Sequence, residues 1–236
     1  MNDQEIRFSP LSLLRQQSWL SPAFPTGSYS YSHGIEWVVE TGHIHDRTSL
    51  LDWLEADLRY GSGRNEAIFF MESWRCAISD NFRKLLEIAE LAAAFRGTSE
   101  FALETSQQGE ACLTTLRHVW PDLLLEDLSL FLSDLKIAPV LSVVLGVCAA
   151  RQAIPAILAL PAFLQSYLAN LVTAAVRLIP LGQTDGQLAM AQLEPIVLAA
   201  AAQAKQETVH DLGSAAFMVD IASSLHETQY TRLFRS

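Results

Sequence analysis

Ser30, Ser32 and His33 stand within four residues of one another, and they are the residue types of a nucleophile and its general base. A serine hydrolase built on them needs a Gly-x-Ser-x-Gly elbow and the strand that presents it, and neither is found here. Serine and histidine adjacent in sequence do not in themselves make a nucleophile–base pair. His43, His45 and Asp46 are metal-ligand types, but residues two apart do not share a helix face and no third ligand follows at a useful spacing. Gly61-Ser62-Gly63-Arg64 lacks the Gly-Lys-Ser/Thr ending of a phosphate-binding loop. The chain therefore reads as non-catalytic, with no metal, cofactor or nucleotide of its own.

What remains is the chemistry of recognition, in three stretches. The last eleven residues, His226 to Ser236, include Glu227, Tyr230, Arg232, Phe234 and Arg235. Arginine and tyrosine dominate protein–protein hot spots because each joins a large apolar body to a polar handle. Such a tail is expected to dock on a partner protein rather than fold back on its own domain. The stretch Ser21 to Glu36 is dense in turn formers and then tyrosines, which suggests a presented loop with Tyr29 and Tyr31 as contacts and a helix starting near Ser30. An ordinary helix-entry loop with one tyrosine packed inwards fits the same residues. In the third stretch, Arg177 ends the most apolar helix, where it complements the dipole, and Gln183, Asp185 and Gln187 crowd the start of the next. Arg177 is expected to face Asp185 or backbone carbonyls, so that these four residues form a polar cluster at the edge of the core.

Helices must position all three. Apolar residues recur at three- and four-residue steps along Leu50–Leu58, with Asp46 or Thr48 as a cap, and along Arg83–Arg96, where Gly97 sits in the place of a C′ glycine. Thr98 or Ser99 starts a helix that runs towards Trp120. Further helices are expected over about 123–135, 140–151, 161–178, 184–194, 195–207 and 214–226. Strand alternation is nearly absent. The fold class is all-α: residues 1–236 form a single-domain bundle of roughly ten helices around a hydrophobic central helix near Leu164–Leu178. A partner-binding tail follows over about 227–236.

Composition narrows the function further. Half of the 236 residues are hydrophobic and 18% are charged, enough for a substantial core, and the net charge of −10 offers no basic stripe for nucleic acid. Cys76, Cys112 and Cys148 are odd in number and lack ligand spacing, as expected of buried reduced thiols in a cytoplasmic protein. Met1-Asn2-Asp3-Gln4-Glu5 is acidic and wrong for a signal peptide. The apolar run Ala138–Ala150 is too short to span a membrane, and Ile154–Leu181 is interrupted by Pro155, Pro161, Gln165, Asn170 and Arg177.

Three blocks resemble the urease accessory protein UreF family. They are Ser21-Pro22-x-x-Pro25-x-Gly27-x-x-Ser30-Tyr31-Ser32-His33-Gly34-x-Glu36, the run from Asn170 through Arg177-Leu178-Ile179-Pro180-Leu181-Gly182-Gln183-Thr184-Asp185-Gly186-Gln187, and Asp220 to Ser236 with His226-Glu227-x-Gln229-Tyr230-x-Arg232-Leu233-Phe234-Arg235. A middle block departs from the family, since Ser99-Glu100-Phe101-Ala102-Leu103-Glu104-Thr105 lacks two arginines usual there, and Pro161 interrupts a helix that looks continuous in relatives.

The resemblance implies an all-helical, dimeric, non-catalytic chaperone of urease maturation. Such a protein binds the UreD/UreH-type accessory protein, recruits the UreG-type GTPase and helps pass nickel to apo-urease. It also adds Glu36 to the partner-facing candidates. A rival reading makes the chain a regulator that lends the GTPase a catalytic arginine, from Arg177, Arg232 or Arg235. Recruitment is preferred, because a tail arginine has little scaffolding for the positioning that catalysis demands. The polar cluster at Gln183 is then expected near the GTPase-facing surface, or beside a passage for hydrated nickel.

Overall fold

The computed structural model describes residues 9–236, so the acidic N-terminal pentapeptide lies outside the described residues. Eleven α-helices follow one another, with no strand among the described residues: α1 (Pro10–Trp19), α2 (Ile35–Glu40), α3 (Arg47–Tyr60), α4 (Ser62–Ile78), α5 (Phe82–Ala94), α6 (Ser99–Val119), α7 (Leu123–Leu135), α8 (Leu141–Arg151), α9 (Ala156–Leu178), α10 (Gln183–Ala204) and α11 (Phe217–His226). The protein is all-α, as its periodicity predicts.

The centre is shared. Helix α8 is buried from Ser142 to Ala150 without interruption, because a helix apolar all round has no face to give to solvent. It crosses α4 closely at Gly146, where a Cβ would lie 2.4 Å from the Phe70 carbonyl oxygen, so only glycine lets the two backbones meet. The apolar helix α9 packs against α2, α3, α4, α8 and α10, and buries Leu164, Leu168, Leu171 and Val172 among them. By length and hydropathy α9 would suffice to cross a membrane, but here its apolar side fills the bundle.

Capping follows the sequence in part. Asp46 accepts from the Ser49 N–H at 2.8 Å and starts α3, and Thr98 accepts from the Phe101 N–H at 3.1 Å and starts α6. The expected break at Pro195 does not occur, and α10 runs through it as one helix. Proline removes one hydrogen bond, and the carbonyl it frees, on Ala191, lies on an exposed face where water can serve it. Pro161 is likewise absorbed inside α9, which begins at Ala156 rather than at the proline. Helix α5 ends at Ala94, before Gly97, because the Arg96 side chain turns back and donates from Nε to the Ala92 carbonyl at 2.9 Å. No helix starts at Ser30. A single 3-10 turn spans Ser28–Ser30, then His33 (φ 57°) and Gly34 (φ 79°) take left-handed conformations that no α-helix admits, so α2 begins at Ile35. Helix α11 starts three residues later than expected, since the N–H groups of Ala215 and Ala216 bind the Tyr60 carbonyl instead.

Candidate functional site

The tail and the Ser21–Glu36 loop, two of the three stretches singled out by residue type, meet in one place. Helix α11 ends with His226 fully buried between α2 and α6. Its Nδ1 lies 2.8 Å from Glu100 Oε2, and its Nε2 lies 3.1 Å from Glu36 Oε2. Both neighbours are carboxylates, so either the ring donates from both nitrogens or one carboxyl carries the proton. Burial raises the Glu100 pKa above the ordinary carboxylate value, against the opposing pull of His226 and Arg232.

The tail closes over this cluster. Arg232 Nη1 donates to Glu100 Oε1 at 2.9 Å, and Glu36 accepts the main-chain N–H groups of Leu233 (2.6 Å) and Phe234 (2.9 Å). The chain then runs beside the loop: the Arg235 N–H donates to the Ser30 carbonyl at 2.8 Å, and the Ser32 N–H and Oγ donate to the Ser236 main-chain oxygen at 2.7 and 2.6 Å. Gly34 makes room for this assembly, since a Cβ there would sit 3.0 Å from the Ser223 nitrogen of α11.

Arg177 joins loop to tail. Its Nη1 donates to the Tyr29 carbonyl at 2.9 Å, and its guanidinium carbon lies 4.4 Å from the centre of the Phe234 ring, a cation–π contact. Phe234 is buried beneath it, whereas Tyr29, Tyr230 and Leu233 face solvent. Tyr31 is buried, with the Arg235 guanidinium 5.7 Å from its ring, so it belongs to the support of the loop and not to its outer surface.

A second polar row lies below. Ser236 Oγ donates to Glu104 Oε2 at 2.8 Å, the same oxygen lies 3.3 Å from His33 Nδ1, and His33 Nε2 lies 2.6 Å from Ser62 Oγ. Ser62 and Tyr167 each donate to Asp57, both at 2.7 Å. The serine that meets His33 is thus Ser62 on α4, not Ser30. The row Ser62–His33–Glu104 has the connectivity of a catalytic triad, but its protons are in the wrong places. Burial pulls the His33 pKa down, yet Glu104, with Asp57 and Glu66, more than offsets this, and the net shift is upward. Ser62 gives its one proton to Asp57 and so meets His33 Nε2 as an acceptor, which leaves the ring no hydroxyl proton to take.

The expected Arg177–Gln183–Asp185–Gln187 cluster does not assemble. Arg177 reaches a backbone carbonyl, that of Tyr29, and turns away from Asp185. Asp185 instead accepts from Arg47 Nη1 at 3.2 Å and from the Gly182 N–H at 3.4 Å, because α3 brings a guanidinium to the start of α10. Gln183 and Gln187 are exposed, and their side chains make no hydrogen bond among the described residues. The tail, expected to dock on a partner, folds back on its own domain from Arg232 to Ser236, since its residues satisfy three buried carboxylates there. Glu227 accepts from Ser99 Oγ at the exposed edge of this assembly.

Glu100, Glu104 and Ser62 went unremarked as site residues. The first two carried a usable signal, since two acids four apart share one helix face, here beside Phe101.

The chain matches a family profile described as UreF over residues 44–194. It is 44% identical over 225 residues to the urease accessory protein UreF of Rhodopseudomonas palustris strain BisB5, covering 95% of this chain and 91% of the relative. The UreF of Bradyrhizobium diazoefficiens is 46% identical over the same length, with 92% of the relative covered, and that of Bradyrhizobium sp. strain BTAi1 is 45% identical. On this footing, the chain belongs to the urease accessory protein UreF family.

Proposed function

We propose that this protein acts as a non-catalytic accessory factor in urease maturation, presenting its joined loop and tail to a UreD/UreH-type accessory protein. The observation that carries the reading is the division of the tail. Phe234 and Ser236 are buried, while Tyr230 is fully exposed and Leu233 half-exposed beside a loop whose Tyr29 also faces out. Three large side chains held outwards on a rigid base are what a hot spot needs, because little entropy is lost when a partner covers them. On the same reading the protein works in the cytoplasm as a homodimer, binds neither membrane nor nucleic acid, and recruits the UreG-type GTPase. Nickel reaches apo-urease as the cargo of the assembly.

Arg177 and Arg232 are engaged inside the loop–tail assembly, and Arg235, exposed with its guanidinium 5.7 Å from the Tyr31 ring, has little scaffolding for the positioning that lending to a GTPase demands. Recruitment and alignment are the better-supported role. Co-purification of a Tyr230→Ala/Leu233→Ala double variant with the UreD/UreH-type protein tests the surface. The reading expects loss of the partner with the melting temperature unchanged, and full recovery of the partner would sink it.

A further inference from the structure

Helix α7 is apolar on both sides but packed on one. Seven of its 13 residues are leucine. Leu125, Leu128 and Leu132 are buried where the helix lies against α6 and α8. On the opposite side Leu123 is 81% exposed and Leu130 60%, where a surface helix ordinarily places polar residues. The inward leucines account for the packing of α7 and leave these two without a use.

The outer side has a register. Leu123 and Leu130 stand seven residues apart, and Asp127 and Asp134 follow them by four. At about 3.6 residues per turn these positions form one stripe along the helix. A leucine repeated every seven residues, with a charge at a fixed offset, is the pattern of a helix that pairs with another helix. Both aspartates are exposed, and their side chains make no hydrogen bond or ion pair among the described residues. The guanidinium groups nearby are already engaged. Arg117 donates to Glu126 at 2.8 Å and to Ser129 at 2.7 Å, and Arg151 donates to Asp122 at 3.0 Å. Lys136 lies past the stripe, as the C-cap of α7.

The stripe is separate from the outward face of the tail. Glu100 and Glu104 hold the tail at the start of α6, whereas Arg117 holds α7 near its end. The two attachment points are about 20 Å apart along α6. Charge then selects the occupant. A second copy of α7 suits the stripe badly, because self-pairing brings four carboxylates into one seam. A helix whose apolar seam is flanked by lysine or arginine meets both the leucines and the unpaired aspartates.

We propose that the outer stripe of α7 docks a basic amphipathic helix of a partner protein, one whose apolar residues recur every seven positions between lysines or arginines. Leu123 and Leu130 enter its apolar seam, and Asp127 and Asp134 pair with its cations. The probe is a synthetic three-heptad helix with leucine in its seam and lysine on its flanks, titrated against the full chain by fluorescence anisotropy. The same helix with glutamate on its flanks is the control. The lysine helix is expected to bind saturably, and the glutamate helix at least about tenfold more weakly. Leu123→Ser/Leu130→Ser should weaken the lysine helix about tenfold or more at unchanged melting temperature. Asp127→Asn/Asp134→Asn should weaken it about fivefold or more, again without early melting. Asp52→Asn/Glu90→Gln removes the same charge from exposed positions on other helices. It should leave the affinity within about twofold. Absence of saturable binding, equal binding of the two helices, undiminished binding in either α7 variant, or an equal loss in the Asp52/Glu90 variant overturns the proposal. So does loss, in the leucine variant, of a homodimer that the wild-type chain forms, since a second copy then owns this face. If a variant melts early, amide exchange of the wild-type chain with the lysine helix decides in its place. Protection at α7 supports docking there, and protection that spares α7 overturns it.

Discussion

The tail and the start of α10 share a composition, since both mix polar and charged residues just beyond or before an apolar helix, yet the fold uses them oppositely. In the tail every second side chain near the end turns inwards: Phe234 and Ser236 are buried, and Glu36, Glu100 and Glu104 wait for them and for Arg232. At α10 the only engaged side chain is Asp185, which caps its own helix and pairs with Arg47 at a half-exposed site. Polar residues with buried partners carry the architecture, and those without remain available to another molecule. The difference lies in the neighbours, not in the residues themselves.

The largest effect that could break this comparison comes from His226. Replacing it with alanine leaves Glu36 and Glu100 facing each other in a buried site with no donor between them. The expected cost is about 3–5 kcal/mol, the range for removing one partner of a buried charged cluster, and thermal unfolding measures it. Truncation of the tail acts on the same carboxylates. Removing Tyr230–Ser236 strips partners from three buried carboxylates, so it destabilises the fold and cannot report on partner binding alone. A truncated protein that melts with the wild type would mean the inward half of the tail carries no structural weight.

Next in size is the outward half. Tyr29→Ala and Tyr230→Ala are each expected to cost on the order of 2 kcal/mol of association with the UreD/UreH-type protein if they are anchors. Stability should stay within about 0.5 kcal/mol, since neither side chain is buried. Arg232→Ala should differ from both by lowering stability as well, because it uncovers Glu100, and equilibrium binding beside melting curves separates the three. Equal affinities across the set would remove the outer face from the interface.

Much of this was legible in the residues, and the gaps have physical causes. The tail, the loop and the helix caps at Asp46 and Thr98 could be found because each depends on residue type and short spacing. The direction of each tail side chain could not, since it is decided by carboxylates 132 to 198 positions away in sequence. The neighbour of His33 in sequence is Ser30 or Ser32, whereas its partner in the fold, Ser62, arrives 29 residues later on another helix. Pro195 predicts a break that α10 does not make, since periodicity does not say whether a freed carbonyl faces water.

A subtler effect sharpens the comparison through pH. His33 binds its proton more tightly in the folded chain than at its ordinary value of 6.5. Folding is therefore favoured below that value, and this contribution is lost as pH rises through the higher folded value. The melting temperature should fall over that window in the wild type, and His33→Gln should flatten the fall. Because Ser236 is tied to Glu104, which faces His33, the end of the tail should loosen over the same window, as amide exchange at Arg235 and Ser236 can show. A slope that survives His33→Gln would place the titration elsewhere.

The smallest structural effect is expected at α10, where Gln183→Ala removes a side chain that is exposed and makes no hydrogen bond among the described residues. Its stability should stay within about 0.5 kcal/mol of wild type. The exposed glutamine keeps both its donors and its acceptor for a partner. If the start of α10 belongs to a contact surface, urease activation falls in this variant while the melting temperature does not move. Asp185→Asn is the necessary counterpart, because it weakens the cap and the Arg47 pair together and should lower both stability and activation. Proportional losses in the two variants would show that α10 begins with a cap and nothing more, and unchanged activation in Gln183→Ala would remove the glutamine from any interface.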